Sequence, residues 1–199
     1  TLYRINNYDD FSRVVDKLKC ICENDNIRIA VERYFTYDFY NAILHITKKM
    51  SYTDRAKLFK FILDIDDAKG ALGNVEVGEK YVEHQRFKRI YTLNAVLEHL
   101  EENAALEGYY LMRKREVADH YSLSYLLKNE YLNFEQAIRL VQENPDQLSF
   151  LTQNQLMGKA ETLSDADMCM RCMGIKNNDP CEITDENALV NYLKIKYLD

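Results

Sequence analysis

Turn-forming residues are scarce in this sequence, with only 2 prolines and 6 glycines among 199 residues and no tryptophan at all. That scarcity argues against a sandwich or barrel, whose many short strands need frequent turns. Long apolar runs are also missing. Nothing approaches the roughly 20 residues needed to cross a bilayer, and no charged-then-apolar signal segment opens the chain. Positive charge is in short supply as well: residues 1–100 hold 16 basic and 15 acidic side chains, and residues 101–199 hold 10 and 17, giving +1 and −7. General nucleic-acid binding needs a basic surface and is not expected. Cysteine is sparse and odd in number, at 5, which reads as reduced thiols in a cytosolic setting rather than a disulfide framework.

What is present is helical. Leu, Ile, Glu, Lys and Gln dominate long stretches, and the apolar residues fall at three-and-four spacing. The expectation is an all-α fold of about nine to eleven helices. Asp9 or Asp10 is a candidate cap for a first helix with the stripe Phe11, Val14, Val15, Leu18 and Ile21. Asn26 opens a stretch from Ile27 to Met50, with a break expected near Thr36, and Thr53 starts a helix running to about Asp67. The segment Gly70 to Gly78 reads GALGNVEVG, and its three glycines each cost a helix about 1 kcal/mol relative to alanine. It divides the chain into an N-terminal bundle, 1–69, and a helical-hairpin region, 79–199, expected to be fused into one globular unit. Within the second, Glu79–Asn103 and Ala104–Tyr121 read as amphipathic helices, with Gly108 a candidate kink.

Between Asn133 and Met157 one pattern occurs three times, as Asn133/Gln136, Asn144/Gln147 and Thr152/Gln155. A small polar side chain can accept from an amide of the first turn while a Gln three residues on reaches back, so each pair is a candidate capping box. Pro145 after Asn144 suits a first helical position. Three short helices are expected, each with its Gln in the first turn. Ser164/Asp167 offers a fourth start, and Thr184 is expected to cap the last helix. LSYLLKNEYLNF at 123–134 also echoes LSFLTQNQLMGK at 148–159, hinting at a repeat.

The phrase YLNFEQAIRLV, Tyr131–Val141, with the Gln-Leu units that follow, resembles short helical repeats in effector proteins that Legionella-type intracellular bacteria inject into host cells. The resemblance implies a piece of a larger modular effector, delivered to the host cytosol and working at a host protein or membrane surface in virulence. A start at Thr1 rather than Met agrees with a segment cut from a longer protein. A second clean copy of FEQA is absent, and residues 1–120 carry no such likeness.

Several chemical motifs fall short on their own residues. Cys20-x-Cys22 and Cys169-x2-Cys172 could supply four thiolates to zinc, but Cys169 and Cys172 sit among methionines and read as core; no metal or other cofactor is expected. Asp64 to Gly70, DIDDAKG, lacks the fifth and twelfth ligands of a calcium loop, since Ala68 and Val75 occupy those places. Gly73 to Lys80 has the glycine spacing of a phosphate loop with Glu79 where its lysine belongs. Arg115 to His120, REVADH, resembles the active-site motif of HEPN ribonucleases; that likeness implies Arg115 and His120 on one helix face, acting on an RNA phosphate and ribose hydroxyl. His45, His84 and His99 have no spaced partners.

The remaining candidates are basic. Lys48, Lys49, Arg55, Lys57 and Lys60, together with Arg86, Lys88 and Arg89, are expected to meet on one surface and hold a phosphoinositide headgroup or an acidic protein, with Tyr52, Tyr81 or Tyr91 beside them. Arg113, Lys114 and Arg115 form a further group. The reading is a non-catalytic interaction module, with the RNA-cleaving enzyme as its alternative.

Overall fold

A computed structural model describes residues 2–22, 38–68, 79–176 and 179–198. Among these the regular structure is entirely helical, in ten α-helices and short 3-10 turns. Chain contacts divide it into two units, Thr1–Met112 and Arg113–Asp199. The glycine-rich interval 70–78 lies outside the described residues and falls within the first unit, because the helix after it packs on the helix before it.

In the first unit α1 spans Tyr8–Ile21 and is capped by Asn7, whose side chain accepts from the Asp10 amide at 2.8 Å. Asp9 and Asp10 lie instead inside the first turn, where carboxylates complement the positive helix end. Phe11 and Val15 are buried, while Ile21 is exposed. Helix α2 covers residues 38–47 and buries Phe39, Tyr40, Ala42, Ile43 and Ile46. The stretch before it, including Asn26 and Thr36, is outside the described residues. Phe11 meets Phe61 edge to face at 5.2 Å and Phe39 at 6.1 Å, which ties α1, α2 and α3 through one aromatic cluster.

Helix α3, Tyr52–Leu63, starts one residue earlier than Thr53 suggests, because Ser51 is its cap. Helix α4, Glu79–Leu97, packs against α3. It ends before Asn103: Leu100 is buried in a tight turn and α5, Glu102–Lys114, begins at once. Gly108 is no kink. A Cβ there would come within 3.0 Å of the Phe59 ring and 3.2 Å of Leu97, so glycine lets α5 approach its neighbours closely.

In the second unit five short helices follow: α6 Ser122–Leu127, α7 Phe134–Glu143, α8 Phe150–Met157, α9 Leu163–Cys172 and α10 Glu186–Tyr197. Helix α8 is central, touching the other four. Leu123, Leu126, Ile138, Val141, Leu156, Met157, Cys169, Met170 and Tyr192 form the core around it. All five cysteines are free thiols.

The cap pattern separates into one match and several corrections. Asn133 and Gln136 make a full capping box at α7, each bond 2.9 Å. Asn144 precedes a 3-10 turn, Pro145–Gln147, but makes no side-chain cap bond to it; it is instead the C-cap of α7, its side-chain Nδ2 donating back to the Leu140 carbonyl at 2.8 Å. Gln147 is in that turn and buried. Thr152 is not a cap, since Ser149 takes that place and accepts from the Thr152 amide, leaving Gln155 beyond the first turn of α8. The start assigned to Ser164/Asp167 belongs to Thr162 and Asp165, a capping box two residues earlier. Thr184 is displaced by Asp185, which accepts from the Ala188 amide, and its own hydroxyl donates to Gln153. At Thr152, Ser164 and Thr184 another good acceptor lies within three residues and takes the cap. The two echoing segments also differ in role: Ser149 caps α8, whereas Ser124 lies inside α6 and its hydroxyl donates to the Tyr121 carbonyl.

Candidate functional site

Two of the expected binding residues turn inward. Arg89, on α4, forms a two-pronged ion pair with Asp67 at 2.7 and 2.6 Å and donates to the Leu63 carbonyl at 3.2 Å. Its side chain is 7% exposed and that of Asp67 17%. Arg55 donates to the carbonyls of Thr47 at 2.9 Å and His99 at 3.0 Å, and lies over the Tyr52 ring. Arg55 thereby joins the start of α3 to the end of α4, and Arg89 joins the end of α3 to the middle of α4. They clamp the antiparallel pair near its two ends rather than meeting a ligand. The acidic run after α3 has its explanation in the same bond, since Asp67 is the counter-ion of Arg89.

Beside this pair lies a polar interior. Tyr40 and Gln85 are buried, with no hydrogen-bond partner for the Tyr40 hydroxyl or Gln85 Oε1 among the described residues. Burial pushes the Tyr40 hydroxyl well above the usual tyrosine range; Arg89 opposes that shift and Asp67 adds to it.

The other expected residues remain outside. Lys48 and Lys49 follow α2, exposed, with Lys49 Nζ donating to the Tyr3 carbonyl at 3.1 Å. Arg86 is exposed and Lys88 half-buried on α4. Lys57 lies 3.9 Å from Asp54 and 5.9 Å from the centre of the Tyr8 ring. The Tyr8 hydroxyl is raised by burial and then by Asp16, Asp64 and Asp9. Carboxylates are therefore interspersed with the lysines, and no uniformly cationic face forms around Lys57. Tyr52 and Tyr91 are exposed, while the side chain of Tyr81 is outside the described residues.

Lys57 and Lys60 nonetheless flank a cleft of about 320 Å³ between α3 and α5. One wall is the α3 stripe Thr53, Ala56, Lys57, Lys60; the other is the α5 stripe Ala104, Glu107, Gly108, Leu111; Phe59, Leu63 and Leu100 complete it. The lining is mostly apolar, with cations on the α3 wall and a carboxylate on the α5 wall. Its volume sits at the low end of ligand pockets, about 300–1,000 Å³. Sequence reading passed over this groove, although Ala104, Gly108 and Leu111 mark one face of α5 at four-and-three spacing.

The ribonuclease geometry is overturned. Helix α5 stops at Lys114, Glu116 adopts a left-handed φ of 56°, and Arg115 and His120 fall on the connection to α6 rather than on one helix face. The His120 ring rests against Tyr121 at 3.8 Å. Of the third basic group, Arg113 forms a two-pronged pair with Asp146 at 2.7 and 3.2 Å, and those hydrogen bonds hold the Asp146 carboxyl below its usual range.

Cys22 and Cys169 are buried, Cys172 is half-buried, and Cys20 and Cys181 are exposed. Cys169 is buried with Sγ 3.6 Å from the Leu156 carbonyl, and burial pushes its thiol up to about 12. Cys172 accepts from Gln142 at 3.4 Å. Among the described residues no three His, Cys, Asp or Glu side chains group as metal ligands, and no described helix is long and apolar enough to cross a membrane. No protein-family model matches the chain, and neither does any curated protein or solved structure.

Proposed function

We propose that this chain is a non-catalytic interaction module that binds a protein partner through the groove between α3 and α5. The observation that carries the proposal is the groove's lining, an apolar trough with charges of both signs on its rim. Apolar concavity favours contact that excludes water, and a mixed rim sets orientation and partner choice. A phosphoinositide surface fits less well, because Asp54 and Glu107 accompany Lys57 and Lys60 there. The wider setting we propose, a module of a secreted bacterial effector acting on a host protein in the host cytosol, is supported by the likeness of Tyr131–Val141 to effector repeats.

The test compares wild-type protein with Ala104→Trp, which fills the groove, and Lys57→Glu/Lys60→Glu, which reverses one rim. Capture of a specific host protein that both variants lose and Arg86→Glu retains supports the proposal. Charge-dependent binding to phosphoinositide vesicles at low salt, lost in the lysine variant, would move the reading to a membrane surface. RNA cleavage that disappears in His120→Ala would replace it with an enzyme.

A further inference from the structure

The rim and walls of the groove also restrict what can lie in it. Both walls are helices, whose interior amides and carbonyls are already bonded within each helix, so the groove offers no row of backbone groups to an extended peptide. An extended occupant would bury its own amides unpaired, which disfavours it. A helix arrives with those groups satisfied. The walls suit one: the short side chains of Ala56 and Ala104 leave room for close approach, and helix axes pack about 8–10 Å apart when side chains allow. Thr53 to Leu63 rises about 15 Å, which is roughly three turns.

Charge then orients the occupant. Lys57 and Lys60 are three residues apart on one wall, and Glu107 stands on the other. Neither Lys60 nor Glu107 has an ion-pair partner among the described residues, and Lys57 has only a long contact to Asp54 at 3.9 Å. An acyl chain with an anionic headgroup would satisfy the lysines and meet Glu107 as a like charge. We propose, resting on the groove as the binding surface, that its occupant is an amphipathic α-helix of a partner protein. That helix carries two carboxylates one turn apart facing Lys57 and Lys60, and a lysine or arginine on its opposite flank facing Glu107. This is recognition of a helix in a groove, with apolar anchors at three-and-four spacing.

The experiment is selection from a displayed library of random 16-residue peptides against the whole chain. Counter-selection uses Ala104→Trp and, independently, Leu111→Glu, each first shown to match wild-type helicity and unfolding. The expected groove-dependent binders carry apolar residues at helical spacing and paired acids on one flank, and become helical when bound. Lys57→Glu/Lys60→Glu should weaken a selected peptide about tenfold through the loss of two exposed pairs and the repulsion that replaces them, and exchanging the peptide's acids for lysines should restore binding. Groove-dependent binders without helical spacing, or indifferent to the lysine reversal, would overturn the helix inference and leave the groove proposal standing. A library that yields no groove-dependent binder would overturn both.

Discussion

The two units weight clamps and caps differently in holding their helices. In the first, arginines reach across long stretches of chain: Arg55 binds the carbonyl of His99, 44 residues on, and Arg89 binds Asp67, 22 residues back. In the second, α7, α8, α9 and α10 each begin with a side-chain cap bonded three residues ahead. It has long-range clamps too: Arg113 pairs with Asp146, 33 residues on, and the Lys159 ammonium donates to the carbonyls of Asn129 and Leu132 at 3.1 and 2.7 Å. Caps occur in both units, since Asn7 and Ser51 cap α1 and α3 in the same way. In α7, α8 and α9, of 10, 8 and 10 residues, a cap serves a larger share of the amides, whereas the 19-residue α4 needs its placement against α3 fixed.

The sharpest way to break this comparison is to remove a clamp. Arg89→Met leaves the Asp67 carboxylate with no counter-ion in a largely buried site and should cost about 3–5 kcal/mol in denaturant unfolding. Adding Asp67→Leu should recover much of that loss, because two apolar groups need no counter-charge. An equal loss in single and double variants would show that Arg89 acts through packing alone. Arg55→Ala, which frees partly exposed carbonyls, should cost about 2 kcal/mol. If both arginine variants unfold like wild type, the first unit is not held as argued.

The caps provide the matching test in the second unit. Asn133→Ala should cost about 1 kcal/mol, as loss of an N-cap does. Gln155→Ala, outside the first turn of α8, should change stability by less than about 0.5 kcal/mol. Equal effects at the two positions would remove the distinction between a true capping box and its sequence look-alike.

The smallest effect at neutral pH is expected at Tyr40, whose buried hydroxyl has no hydrogen-bond partner among the described residues. Tyr40→Phe should be neutral or slightly stabilising there. Alkaline pH separates the two proteins. The folded hydroxyl ionises above the ordinary value of 10.0, while in the unfolded chain it ionises near that value, so ionisation favours unfolding as pH rises past it. Wild type should therefore lose stability above about pH 10 relative to Tyr40→Phe. Parallel pH profiles would show that the hydroxyl is solvated. Lys159 acts with the opposite sign: burial lowers its ammonium's affinity for a proton, so its penalty is relieved as pH rises toward the ordinary lysine value of 10.5. Comparing wild type with Lys159→Met over the same range should show wild type gaining.

Legibility in the sequence followed the range of the interactions. The box at Asn133 and Gln136 was readable because both its bonds close within three residues. The same pattern at Thr152 misled because Ser149, three residues earlier, offers an equivalent hydroxyl and the buried Thr152 bonds to the Gln147 carbonyl instead. The basic residues were readable as basic, but nothing local separates Arg89, inside, from Arg86, outside. The groove left a faint trace in the small residues of α5, and Gly108 read as a kink because its cause, the Phe59 ring, lies far away in the chain.

By itself the sequence determined the helical class, the apolar faces and the chemistry available at each helix start, because helix propensity, periodicity and capping act within a turn or two of each residue. Tertiary structure alone decided which arginines became clamps, which lysines stayed on a rim, and that Arg115 and His120 lie on a connection rather than along one helix. Those outcomes depend on which helices pack together, and burial converts the same side chain from a solvated charge into one that must have a partner.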